Sequence, residues 1–145
     1  MTVAAPSEAL VREWEARPLL HGLGVTVVEL GSGHACLEMA RNSTNVSGVR
    51  DSINGGVQAT VGEIAAHLAI STLLEPGERI EQTQDLSISY LYSARAAVTL
   101  IEARVLRHGR LTVVDVEVRV GDDGDDAGQM NAKARVTCAL GRDRS

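Results

Sequence analysis

Aromatic side chains are nearly missing from this chain. Trp14, Tyr90 and Tyr92 are the only ones among 145 residues, with no phenylalanine, so single-stranded nucleic acid held by base stacking would find few platforms. An excess of basic charge is also lacking. The 14 Lys and Arg stand against 19 Asp and Glu, a net charge of −5, whereas a nucleic-acid binder usually carries a basic face. Cysteine is scarce, and Cys36 and Cys138 make neither a metal-ligand spacing nor a disulfide framework. Each falls within an apolar strand pattern, as a reduced core cysteine does. No charged-then-apolar leader opens the chain, which makes the cytoplasm the expected location. The longest apolar run, residues 57–74, holds Glu63 and His67 near its middle. A lipid-facing helix rarely tolerates that, so no membrane partner is expected.

What remains is an ordinary globular composition, 44% hydrophobic and 23% charged. The length suits one core, so the expectation is a single domain over residues 1–145, with residues 1–19 as an appended N-terminal helix. Ser7 caps a helix over residues 8–17, and Pro18 stops it. Strands follow over residues 23–30 and 34–41, joined by Gly31-Ser32-Gly33. A polar loop without periodicity runs to Ile53. Asn54-Gly55-Gly56 then opens a helix over residues 57–74, which Pro76-Gly77 ends. Strands over residues 83–92, 98–107, 111–120 and 130–140 complete the chain. On the first of these, Leu86, Ile88 and Tyr90 share a face. One apolar helix among many strands implies an α+β domain whose bent antiparallel sheet wraps that helix.

The stretch Ile53-Asn54-Gly55-Gly56-Val57-Gln58-Ala59-Thr60-Val61-Gly62-Glu63 resembles the helix opening of hotdog-fold acyl-CoA thioesterases of the phenylacetate-pathway and 4-hydroxybenzoyl-CoA type. There a His-Gly-Gly opens the helix and an acidic residue follows nine positions after the His. The segments Thr83–Leu91 and Arg107–Val118 resemble that family's third strand and its turn into the fifth strand, and the likeness spans residues 20–140. It implies the hotdog fold and hydrolysis of an acyl-CoA thioester to a carboxylate and free coenzyme A. It also implies a homodimer or a dimer of dimers. No metal or redox cofactor is implied, the coenzyme A thioester being the substrate. The family's His is Asn54 here, which forms hydrogen bonds but does not titrate. That weakens the likeness to hotdog dehydratases, which need a His base.

The residues themselves bear on this chemistry. Thioester hydrolysis builds negative charge on the carbonyl oxygen, and a helix N-terminus offers free N–H donors to hold it. Gly55 and Gly56 let a thioester approach that backbone, and the resemblance makes the Gly55 N–H the donor; read alone, the two glycines also suit a tight turn into the helix. Glu63 lies two turns into an apolar helix, where a carboxylate is costly unless paired or used. The resemblance makes it the base or nucleophile, aimed across a dimer interface at the other subunit's helix start. His67 shares its helix face, either orienting the carboxylate or packing at the interface. Thr83 falls where one branch of the family positions the attacking water, and it is equally an ordinary strand threonine. Tyr90, Ser93, Arg95, Arg107, Gly109 and Arg110 are the expected coenzyme A contacts, with the three arginines expected to cluster at the ends of neighbouring strands and otherwise read as solvated hairpin residues. The acidic run Asp122, Asp123, Asp125 and Asp126 lacks the spacing of a calcium loop and reads as a solvated turn. Asn54 leaves a second function open, a non-catalytic acyl-CoA binding module.

Overall fold

The computed structural model describes residues 5–143. Its elements run α1 (Ala5–Glu15), α2 (Pro18–Gly22), β1 (Val25–Gly31), β2 (His34–Ala40), α3 (Gly55–Ser71), β3 (Glu78–Tyr90), β4 (Val98–Arg107), β5 (Leu111–Val120) and β6 (Met130–Arg142). The six strands form one antiparallel sheet in the order β1-β2-β4-β5-β6-β3. Alternation decides which face is inner. Ala35, Leu37 and Met39 on β2, Ile101 and Ala103 on β4, and Val114, Val116 and Val118 on β5 are all fully buried. Helix α3 lies against this face, touching all six strands. Its Val61, Ala65, Ala66, Leu68, Ala69 and Ile70 have no exposed surface. A helix with small residues on its sheet side lets a bent sheet close around it, and the result is the hotdog fold. No helix of the described residues is long and apolar enough to cross a membrane.

Several boundaries differ from expectation for identifiable reasons. Helix α1 begins at Ala5, before Ser7, whose side chain lies outside the described residues. Pro18 ends α1 and also opens α2 at its first turn, a position where proline's missing N–H costs nothing. Helix α3 stops at Ser71, three residues before the expected end, with Thr72 closing it. The Thr72 hydroxyl also accepts from Gly33 N–H at 2.7 Å. Gly33 sits in the β1–β2 turn with φ +69, which other residues adopt reluctantly. Strand β3 begins at Glu78, five residues early, because its first half is a polar edge without apolar alternation.

The two cysteines part company. Cys138 is fully buried in the core. Cys36 is no core residue: it is half-buried on the outer sheet face, out of step with inward Ala35 and Leu37. Its neighbours there are Glu102, Glu29, Glu38 and Arg119, and burial together with the carboxylates pushes its thiol pKa up. The same face carries His34 on Glu102 at 2.8 Å and Arg119 on Glu102 at 3.0 Å. The hydrogen bond from His34 holds the Glu102 carboxyl below its ordinary range.

Candidate active site

The start of α3 is the best-built part of the site. Asn54 is the N-cap: its Oδ1 accepts from Val57 N–H at 3.2 Å, and its carbonyl accepts from Gln58 N–H at 3.1 Å. Four N–H groups at a helix start lack intrahelical partners until a cap takes some of them. Here the N–H groups of Gly55 and Gly56 are left without a protein acceptor among the described residues. Gly55 also leaves room for a neighbouring ring. A Cβ at this position would stand 3.1 Å from the ring of Tyr90, whose hydroxyl donates to the Gly55 carbonyl at 2.6 Å. The ring is thus pinned across the first peptide of the helix.

A cavity of about 320 Å3 opens at this point, lined by Gly48, Val49, Ser52, Ile53, Gly55, Gln58 and the segment Tyr90 to Ala94. That is the lower end of the size range for small-molecule sites. Ile53 N–H donates to the Ala94 carbonyl at 2.8 Å, and Asn131 Nδ2 donates to the carbonyls of Tyr92 and Ser93. These bonds fix the two walls. The near wall is strained: Arg50 (φ 58) and Asp51 (φ 61) both occupy the left-handed region, a costly conformation for residues other than glycine. Arg41 Nη2 donates to the Asp51 carbonyl at 2.5 Å and holds it there.

Glu63 lies elsewhere. Eight residues beyond Gly55 along α3, it is about 12 Å away at the helical rise. It is half-buried, as are its helix neighbours Ala59, Thr60 and His67. No ion-pair partner stands beside its carboxylate among the described residues. One turn further, His67 Nε2 lies 2.7 Å from Thr83 Oγ1, and Thr83 Oγ1 lies 3.8 Å from Cys138 Sγ. Burial lowers the His67 pKa, opposed by the Glu63 carboxylate and aided by the Arg17 guanidinium. The Trp14 and His67 rings meet in an edge-on arrangement with centroids 6.5 Å apart, and the Arg17 guanidinium stands over the Trp14 ring at 3.6 Å. The structure therefore joins Thr83 to His67 directly, a contact that helix spacing alone does not reveal.

The expected coenzyme A contacts divide into three places. Tyr90 and Ser93 line the cavity at Gly55. Arg95, with Ser93, lines a neighbouring cleft of about 270 Å3 beside Asp122 to Asp126. Arg107 and Arg110 belong to the other end of the sheet, because β4 runs ten residues between them and Arg95, about 30 Å of strand. The three arginines do not cluster within one chain. Arg110 instead faces Glu78 and Arg142, and Gly109 closes the β4–β5 turn by donating to Thr112 Oγ1 at 3.2 Å. Nor is the acidic run wholly solvated: Asp122 accepts from Ala97 N–H at 3.0 Å and Val98 N–H at 2.6 Å, pinning the start of β4. One residue escaped the sequence reading. Gln58 lines the cavity and is 4% exposed, and its signal was an amide set one turn into an otherwise apolar helix.

A hotdog sheet around a helix whose free N–H groups open on a cavity defines a class of acyl-thioester proteins. The sequence profile of the thioesterase superfamily matches residues 51–127, and the chain belongs to that superfamily, a family of thioester hydrolases. Among solved structures it is similar to a thioesterase of Haemophilus influenzae (19% identity, TM-score 0.81, covering 98% of this chain and 93% of that one). It is also similar to thioesterase superfamily member 2 of Mus musculus (21% identity, TM-score 0.77, 96% and 100% covered). A third likeness is to a conserved protein of Pseudomonas aeruginosa (25% identity, TM-score 0.76, 89% and 98% covered). No protein of curated function matches the sequence.

Proposed function

We propose that the protein hydrolyses an acyl-CoA thioester, and that each site takes its parts from two copies of the chain. The observation that carries this is the cavity at Gly55, where a capped helix leaves N–H donors free. In the reaction, a thioester carbonyl oxygen sits on the Gly55 N–H. Water adds to the carbonyl carbon while a carboxylate takes its proton, and the oxyanion rests on the helix N-terminus. Collapse breaks the C–S bond, and the thiolate leaves with the proton returned from the carboxyl group. The carboxylate is Glu63, and Thr83, held by His67, orients the water. Since about 12 Å of helix separates Gly55 from Glu63, Glu63 serves the Gly55 of another copy.

The edge strand supports such pairing. Leu86 and Ile88 on β3 are half-buried, while Tyr90, Leu91 and Tyr92 beyond them are 51%, 52% and 61% exposed. Uncovered apolar surface of this kind marks an interface between chains. Arg95 of one copy and Arg107 and Arg110 of another would then be free to share the phosphates. The test is turnover of a panel of acyl-CoA thioesters, with the released thiol detected chemically. Hydrolysis releases thiol in proportion to acid formed. Saturable binding without thiol would establish a binding module instead, and loss of water from a 3-hydroxyacyl thioester without thiol would establish a dehydratase.

A further inference from the structure

At the wall of this cavity one buried polar atom is out of balance. Gln58 is 4% exposed, and its Nε2 donates to the Ile53 carbonyl at 3.2 Å. Its Oε1 is buried with no partner. Turning the amide over would set Oε1 against the Ile53 carbonyl, two acceptors facing each other, so the orientation is fixed by its surroundings. A buried acceptor left unpaired is expensive, and native structures rarely keep one without a use. Of the other lining side chains, the Tyr90 hydroxyl donates to the Gly55 carbonyl and the Ser52 hydroxyl donates to the Val49 carbonyl, while the hydroxyls of Tyr92 and Ser93 belong to exposed residues that water can serve. None of the lining side chains carries a charge. A cavity lined by uncharged side chains, whose buried unpaired acceptor is an amide oxygen, fits a neutral donor better than an ammonium group.

We infer that Gln58 Oε1 is a recognition point that accepts an O–H or N–H from the bound thioester, one turn of α3 away from the Gly55 donor. This rests on the thioester-hydrolase reading and adds a selection rule to it. Substrates that bring a neutral donor to this point satisfy the amide. Those without one leave it unpaired and are rejected, as a site built around a hydrogen bond rejects an analogue that lacks it. Two parts of an acyl thioester carry such a donor: a hydroxyl on the acyl group, and the amide N–H of the thiol arm.

The test uses two matched pairs with the full-length protein. The first is a hydroxyacyl-CoA against the same acyl-CoA with hydrogen in place of the hydroxyl. The second is an N-acetylcysteamine thioester against the thioester of O-acetyl mercaptoethanol, which has an ester where the amide was. We expect kcat/KM to favour the donor-bearing member of one pair by about 10- to 100-fold, and the pair that discriminates identifies the source of the donor. Gln58→Met, which keeps the length of the side chain without the acceptor, should bring that ratio close to one. If Gln58→Met does not fold, Gln58→Asn, which draws the acceptor back by one methylene, should lower the same ratio. Equal rates within both pairs would overturn the inference, water then serving the amide, as would a preference that survives in either variant. The same pairs made as non-hydrolysable thioethers and followed by calorimetry separate the two readings. Discrimination in binding without any hydrolysis would end the hydrolase reading and leave Gln58 standing.

Discussion

The two ends of the proposed chemistry, the start of α3 and its middle, are built in different ways. At the start, intrachain bonds fix the frame around the free N–H groups: Asn54 caps the helix, Tyr90 bonds the Gly55 carbonyl, and Ile53 bonds Ala94. In the middle, Glu63 is half-buried and has no ion-pair partner among the described residues. A half-buried carboxylate without a partner is poor structural design for one protomer. It makes sense where a second chain completes the environment. The difference between a finished donor and an unfinished carboxylate is therefore the argument for a shared site.

Removing the unfinished end should cost most. Glu63→Gln keeps the size of the side chain and abolishes the base, and turnover should fall by about 10²–10⁴-fold, the range for lost general-base catalysis. Retained turnover in a steady-state assay would place the chemistry elsewhere. The finished end is tested by Gly55→Pro, since proline suits the first position of a helix and lacks the N–H in question. Asn54 already has φ −57 and ψ 135, which a following proline accepts. The Tyr90 ring must yield to the new side chain, so folding is checked by circular dichroism. With the fold intact, kcat should drop by about 10²–10³-fold, as when one oxyanion donor is lost.

Smaller effects concern stability at the two ends. Asn54→Ala removes the cap and should lower the free energy of unfolding by about 1 kcal/mol, read from denaturant melts. His67 gives the middle of the helix an acid sensitivity. Its folded pKa lies below the ordinary 6.5 because burial disfavours the imidazolium, so the unfolded chain binds the extra proton first. Stability from this group is complete above about pH 6.5 and declines as the pH falls from there toward the folded pKa. His67→Gln should flatten that part of the profile, and an unchanged slope in pH-dependent melts would remove His67 from the account.

Most of the fold was legible because its signals are periodic. Alternation located β2, β4, β5 and β6 nearly to the residue, and the apolar continuity of α3 marked the helix that a sheet must enclose. The misses fall where periodicity gives out. Glu78 to Gln82 pair with β6 through a bulge yet bear no apolar pattern, and Pro18 carries two meanings, an end and a beginning. Cys36 was readable, since the inward Ala35 and Leu37 on either side place it outward. At the site, Asn54-Gly55-Gly56 and Glu63 stood out by residue type. Arg95 and Arg107 appeared together only because sequence proximity conceals the length of the strand between them. Gln58 was hidden for the opposite reason, since nothing but the fold shows that its amide is buried at a cavity.

The shared site is tested most directly by mixing the two damaged ends. Gly55→Pro and Glu63→Gln chains, each expected to lose most of its turnover alone, are co-expressed with different tags, and oligomers holding both are purified through the two tags in turn. If each site draws its donor and its carboxylate from different chains, a mixed dimer holds one site with both lesions and one with neither. Turnover should then recover to about half the wild-type value per dimer, as two-fold symmetry requires. Turnover that stays at the level of the separate variants, in oligomers shown by mass spectrometry to contain both chains, would contradict the account.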